Sequence, residues 1–174
     1  VGQLLISPTN GWRYNQAGSM PAPNPGPWFT NSYVGDTSWP SNIALFYVEE
    51  TDLGPDAPKN TALSLGSPQT ITYYFRTRFT FNGSASGGTL VFSNRLDDGA
   101  VFYLNGMEVQ RIRMPATPVT MDYGTVANVT VGDATSWDVF SIPPTYLRTG
   151  QNANLLAVEV HQASSTSSDI VFGM

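Results

Sequence analysis

Asn105-Gly106 constrains the fold of this chain more than any other feature. The dipeptide sits between two β-forming runs, residues 100–104 and 108–113. A two-residue type I′ turn needs φ > 0 at both central positions. Asn and Gly adopt that conformation at least cost, so Asn-Gly between such runs marks an antiparallel hairpin. The acidic stretch Arg95-Leu96-Asp97-Asp98-Gly99 leads without a gap into the first of these strands. The centre of the chain is therefore antiparallel β.

The same alternation appears on either side. Ile71, Tyr73, Phe75, Thr77, Phe79 and Phe81 alternate with Thr72, Tyr74, Arg76, Arg78 and Thr80. A period of two with one apolar face predicts a half-buried strand. Further strands are expected at residues 1–6, 89–94, 136–142, 154–162 and 168–174, with another around Trp12-Arg13-Tyr14. A short helical turn is expected at residues 143–147. Residues 17–27 and 49–69 are rich in Pro and Gly and read as long irregular loops, and loops of that length are usually functional or disordered. About ten strands joined by irregular connections suit two packed sheets, a β-sandwich or jelly roll. One domain spanning residues 1–174 is the natural division at this length.

Composition narrows the function classes. The 16 Gly and 13 Pro disfavour a helical protein, and a charged fraction of 12% is about half the usual share. A net charge of -5 argues against nucleic acid and against an anionic membrane surface. No apolar run approaches the roughly 18 residues of a membrane span. The absence of cysteine excludes disulfides, thiol catalysis and thiolate metal sites. Val1 in place of an initiator Met leads us to expect a piece of a longer polypeptide.

Catalysis finds little support. His161 is the only histidine, and a triad with Ser168 and Asp169 would have to form within one short hairpin. Asp97 and Asp98 are adjacent, so in extended chain they point to opposite faces and make a poor glycosidase pair. Aromatic stacking on a sugar is the stronger expectation, since saccharides present apolar C–H faces to indole and phenol rings. Trp28, at the end of the proline-rich loop, is the leading candidate, with Tyr33 and with Trp39 of Gly35-Asp-Thr-Ser-Trp39. Burial in the core is the competing role for each of them. Arg95 and Asp98 are candidates for clamping vicinal hydroxyls, and the competing role of the Asp97-Asp98 pair is capping turn amides. On residues 154–162, Leu156, Val158 and Val160 share one face, while Leu155, Ala157, Glu159 and His161 share the other. His161 is thereby a further sugar-contacting candidate, or half of a buried pair with Glu159.

Four segments occur in order: Ile71-Thr-Tyr-Tyr-Phe-Arg76, Leu96-Asp-Asp-Gly-Ala-Val-Phe-Tyr-Leu-Asn-Gly106, Arg113-Met-Pro115 and Asn154-Leu-Leu-Ala-Val-Glu-Val-His-Gln162. Together with Ser167-Ser-Asp169 they resemble a galactose-binding-domain-like jelly-roll module, of the kind appended to secreted bacterial multidomain proteins. The elements Tyr103-Leu-Asn-Gly106 and Gly150-Gln-Asn-Ala-Asn-Leu-Leu-Ala-Val158 are also similar to the sugar-binding domain of β-galactosidase-type glycosidases. The resemblance implies an antiparallel jelly roll that binds carbohydrate without catalysis and targets an appended, secreted enzyme to polysaccharide. It implies a structural calcium, with Asp36 and Glu159 as its ligands by similarity to discoidin-like relatives; Asp97-Asp98 is similar to an aspartate pair in yeast adhesin domains. A monomer in the extracellular space is the expected form. The alternative is a structural, protein-interaction or adhesion module without a sugar ligand.

Overall fold

A computed structural model describes residues 2–174. Eleven strands account for nearly all its regular structure: β1 (Gly11–Asn15), β2 (Ser41–Ile43), β3 (Phe46–Val48), β4 (Thr61–Ala62), β5 (Thr72–Phe81), β6 (Leu90–Asp97), β7 (Gly99–Leu104), β8 (Met107–Ile112), β9 (Asp138–Ile142), β10 (Gly150–His161) and β11 (Ile170–Gly173). They form a six-stranded sheet in the order β2-β1-β5-β10-β7-β8 and a five-stranded sheet in the order β4-β3-β11-β6-β9. Every pairing is antiparallel except β3 with β4. The architecture is an all-β sandwich of jelly-roll type. Among the described residues no helix is long and apolar enough to cross a membrane.

Alternation along the strands builds the core between the sheets. Tyr73, Phe75 and Phe79 of β5 turn inward with Phe102 and Leu104 of β7 and Leu156, Val158 and Val160 of β10. They meet Phe46, Phe92, Leu96, Ile170 and Phe172 from the other sheet. Phe75 lies 4.5 Å from Phe172 between ring centroids, and Trp12 meets Phe172 edge-on at 5.2 Å. The predicted hairpin is present, with φ of 53° at Asn105 and 90° at Gly106. Just beyond it, Arg113 ties the sheets together. Its guanidinium forks onto Asp138 at 2.7 and 2.8 Å and also donates to the carbonyls of Leu96 and Asp98.

Three expectations need correction. Of the strand expected at 1–6, residue 1 lies outside the described residues. Gly2–Leu5 join no ladder but lie along an apolar cleft at one end of the sandwich, beside Phe79, Leu90 and Leu156. Residues 143–147 form a single turn, closed by the Leu147 amide on the Pro144 carbonyl, and do not continue into a helix. Residues 49–69 are not loop throughout, since β4 lies within them.

A second apolar layer lies on the outer face of the six-stranded sheet. Tyr74 of β5, Val101 and Tyr103 of β7 and Ala157 of β10 point away from the inter-sheet core. The loops between β1 and β2 and between β8 and β9 fold over them. Trp28, Tyr33 and Trp39 come from the first loop and Met114, Met121 and Ala127 from the second.

Phe172→Ala should lower the unfolding free energy by about 3–5 kcal/mol, the cost of emptying an aromatic site in a packed core. Val91→Ala, at a position 63% exposed, should stay within about 0.5 kcal/mol. Urea titration of the two variants checks both.

Candidate functional site

The three aromatic residues expected to stack on sugar are already covered. Trp28 is 2% exposed, Tyr33 5% and Trp39 6%. Trp28 packs edge-on against Phe29, Tyr74 and Tyr103 at 4.8–5.7 Å. Tyr33 lies 5.9 Å from Trp39, and its ring also carries the Arg76 guanidinium at 4.9 Å. A short 3-10 turn at Gly35–Ser38 holds the loop here, and a side chain at Gly35 would collide with the Tyr33 ring. The sequence role corrected is stacking: these rings seal the sheet instead, because its outer face is apolar and needs a lid.

The polar candidates are also engaged internally. Arg95 donates to the Ala134 carbonyl, reaches Asp56 at 3.4 Å and lies over the Trp137 ring. Both oxygens of Asp98 accept backbone amides, from Val131 and Ala163, each at 2.6 Å. Asp98 is thus a capping residue, not a hydroxyl clamp. His161 is fully buried, with Nδ1 2.7 Å from the Thr125 carbonyl. That contact needs a proton on Nδ1, and it turns Nε2 toward Glu159 Oε2 at 3.5 Å. Tyr103 donates to the other Glu159 oxygen. Desolvation first, then the Glu159 charge, pushes the Tyr103 hydroxyl above its ordinary value.

Asp36 and Glu159 do not act as a joint calcium site. Asp36 faces Arg76 at 3.1 Å, while Glu159 is held by Tyr103 beneath the second loop. A different set of acids does converge. Glu49 follows β3, Asp97 ends β6 and Asp169 precedes β11. The registers Val48↔Ile170 and Val171↔Asp97 draw these three strand ends together. One carboxylate oxygen from each lies within 4.8 Å of the others. Asp97 is fully buried, and neither of its oxygens has a hydrogen-bond partner among the described residues; Glu49 Oε2 is likewise unpaired. Burial, then the neighbouring carboxyls of Asp98 and Asp169, pushes the Asp97 carboxyl up to about 10. Desolvation raises Asp169 as well. Clustered hard oxygens, those of Asp97 and one of Glu49 unpaired, suit a proton or a divalent cation such as calcium.

A polar cleft lies elsewhere, beside the aromatic lid. A groove of about 410 Å³ opens over the outer face of the six-stranded sheet. Arg76 of β5, Leu155 of β10, Arg13, Asp36, Arg78 and Asn152 are among the residues that line it, Arg76 and Leu155 being buried. Arg76 is 1% exposed and donates through Nη2 to the Thr30 carbonyl. Its Nη1 lies 3.1 Å from Asp36 but off the hydrogen-bond direction, so the contact is an ion pair without alignment, and Nη1 and Nε lack acceptors among the described residues. The apolar cleft beside Gly2–Leu5 gathers no charged group and offers no comparable chemistry.

Glu49, Arg13, Arg76 and Arg78 were not singled out as site residues by the sequence, and Asp169 was weighed only as a triad member with His161. The acids come from three distant segments, and no spacing rule links them. The arginines did leave a signal: Arg76 and Arg78 occupy the polar face of an otherwise apolar strand, and a charge on a sheet face needs a partner.

No family model matches the chain, and no curated protein matches it. Among solved structures it is similar to a calcium-binding mutant (D341A D367A) of Bacteroides uniformis beta-glucuronidase 2, with a TM-score of 0.51 and 12% identity. The match covers 98% of this chain and 18% of that one, so the likeness is to one β-sandwich region of a larger glycosidase and concerns the fold.

Trp28→Ala should cost about 3–5 kcal/mol of stability in a urea melt, as a lid residue and not an exposed platform. The acid cluster gives a pH prediction. The folded Asp97 value lies above its ordinary 3.8, so this group's stabilisation is complete below that pH and drains away as pH rises toward 10. In chelator, the melting temperature should fall between roughly pH 5 and 9, and Asp97→Asn should flatten the slope. A wild-type curve that rises over this range would contradict the geometry.

Proposed function

We propose that this chain is a non-catalytic carbohydrate-binding module of a secreted multidomain protein, one that keeps an appended enzyme on its polysaccharide. The observation carrying the proposal is the groove beside the aromatic lid, where guanidinium, carboxylate and amide groups converge on a cleft of ligand size. Sugar hydroxyls are recognised by planar polar groups of this kind. The likeness to a sandwich region within a beta-glucuronidase supports a carbohydrate context. The groove brings one carboxylate, Asp36, among its arginines, whereas glycoside hydrolysis uses two facing acids. The module acts as a monomer, and tethering raises the effective concentration of the enzyme at its substrate.

A structural calcium belongs to the same reading. Glu49, Asp97 and Asp169 are the residues that would hold it, and three carboxylates supply a large share of the six to eight oxygens calcium takes. The ion would replace the proton on Asp97 and fasten β3, β6 and β11 together at one end.

A protein-interaction or adhesion module is the second reading. Val91 and Val139 are 63% and 61% exposed near the β6–β9 edge, beside Trp137 at 41%. Dimers in light scattering, without binding to any glycan, would favour it.

Affinity electrophoresis against a panel of polysaccharides is the test. At least one polymer should retard the protein. Thr37→Trp, which fills the groove from its exposed wall, should abolish retardation and change the melt by no more than about 0.5 kcal/mol. Mobility unaffected by every polymer would overturn the proposal. Calcium at a hundredfold excess over Kd should add about 2.7 kcal/mol of stability, an effect lost in Asp97→Asn.

A further inference from the structure

Three of the seven arginines of this acidic chain line one groove. Outside the groove, Arg95 has Asp56, Arg111 has Glu108 and Arg113 has Asp138, one carboxylate for each guanidinium. In the groove, Arg13, Arg76 and Arg78 share a single carboxylate, Asp36. Two positive charges are therefore unbalanced on a protein whose net charge is -5.

Backbone register makes the crowding unavoidable. Arg13 and Arg76 are direct cross-strand partners in the β1–β5 ladder, a placement that destabilises a sheet when both carry the same charge. Arg78 lies two residues along β5 and so shares the face of Arg76. Burial, opposed by Asp36 and reinforced by Arg78, lowers the Arg76 guanidinium from its ordinary value. The existing bonds do not use the available donors. Arg78 gives one hydrogen bond, at 3.4 Å to the Asn31 carbonyl, and is exposed. Arg13 directs Nη1 to the Trp39 and Thr37 carbonyls, which fixes its side chain at the rim.

We infer that the groove takes an anionic saccharide, its acid group seated between Arg13 and Arg78 above the buried Arg76. This deepens the carbohydrate-binding reading and rests on it. The carboxylate of a uronic acid is planar and matches the guanidinium fork, while neighbouring ring hydroxyls fall to Asp36 and Asn152. A sulfate ester carries the same charge and is the other source of such an anion. The incoming group supplies what the sheet lacks, a counter-charge for like charges held side by side. Neutral sugars leave that repulsion in place, so the groove selects against them.

The test compares gel retardation by polygalacturonate, the same polymer with its carboxyls reduced, dextran sulfate and dextran. Wild type, Arg78→Ala and Arg148→Ala are run in parallel; Arg148 is exposed, does not line the groove and alters net charge equally. Polygalacturonate should retard the wild type, carboxyl reduction should remove the effect, and Arg78→Ala should weaken it about tenfold, the loss of a charged hydrogen bond. Arg148→Ala should bind as wild type. Retardation by dextran sulfate with the same dependence on Arg78 supports the anionic site and identifies the ester as its ligand. Equal weakening by Arg78→Ala and Arg148→Ala overturns the inference in favour of diffuse attraction. Binding to neutral polymer that is indifferent to Arg78 overturns it while sparing the carbohydrate-binding reading. Binding to no polymer overturns both.

Discussion

Tyr74, Val101, Tyr103 and Ala157 place apolar surface on the side of the six-stranded sheet that faces away from the inter-sheet core. An apolar sheet face has to be covered, and two loops do so with Trp28, Tyr33, Trp39, Met114 and Met121. The rest of the outer face follows from this contact. The loop between β1 and β2 can present Asp36 to Arg76 because its tryptophans anchor it on either side. The groove exists where this lid stops, at the boundary between sealed rings and the open arginine side chains of β1 and β5. Glu159 and His161 sit on the same face but under the second loop, so identical strand geometry gives a closed polar pair there and an open site a few residues away.

The sheets were legible to the extent that they obey local rules. The alternation of β5, the Asn105-Gly106 hairpin and the apolar run of β10 each depend on near neighbours, and each was readable. Strands β2, β3 and β4 are two or three residues long, too short for a period to show. The aromatic residues misled for a related reason. A tryptophan in a proline-rich loop looks the same in sequence whether the loop projects into solvent or folds back as a lid. Only the outward-facing tyrosines of β5 and β7 decide between these, and they are distant in the chain. Asp98 behaves as a turn acid should, although the amides it caps, at Val131 and Ala163, belong to remote segments.

Charge is distributed with a consistent logic in the two unusual places. The sandwich gathers crowded, underpaired acids at the ends of β3, β6 and β11 and underpaired bases on the outer face of β1 and β5. Each cluster costs stability when considered alone, because like charges are held close with too few partners. Neither is relieved by the other, since each lies with a different sheet. On the proposed reading, the missing partner of each cluster arrives from solution.

The outermost strands have a consequence for how such molecules behave when packed densely on a surface. β4 is two residues long and β2 three, too little rim for another chain to zip onto. On β8, Arg111 is locked to Glu108 and to the carbonyls of Pro115 and Val119, which keeps that rim charged and partly occupied. Among the described residues, β9, five residues with Val139 turned outward, leaves the most usable border. Aggregation of native molecules would start most readily at this border, and a charged substitution there would discourage it.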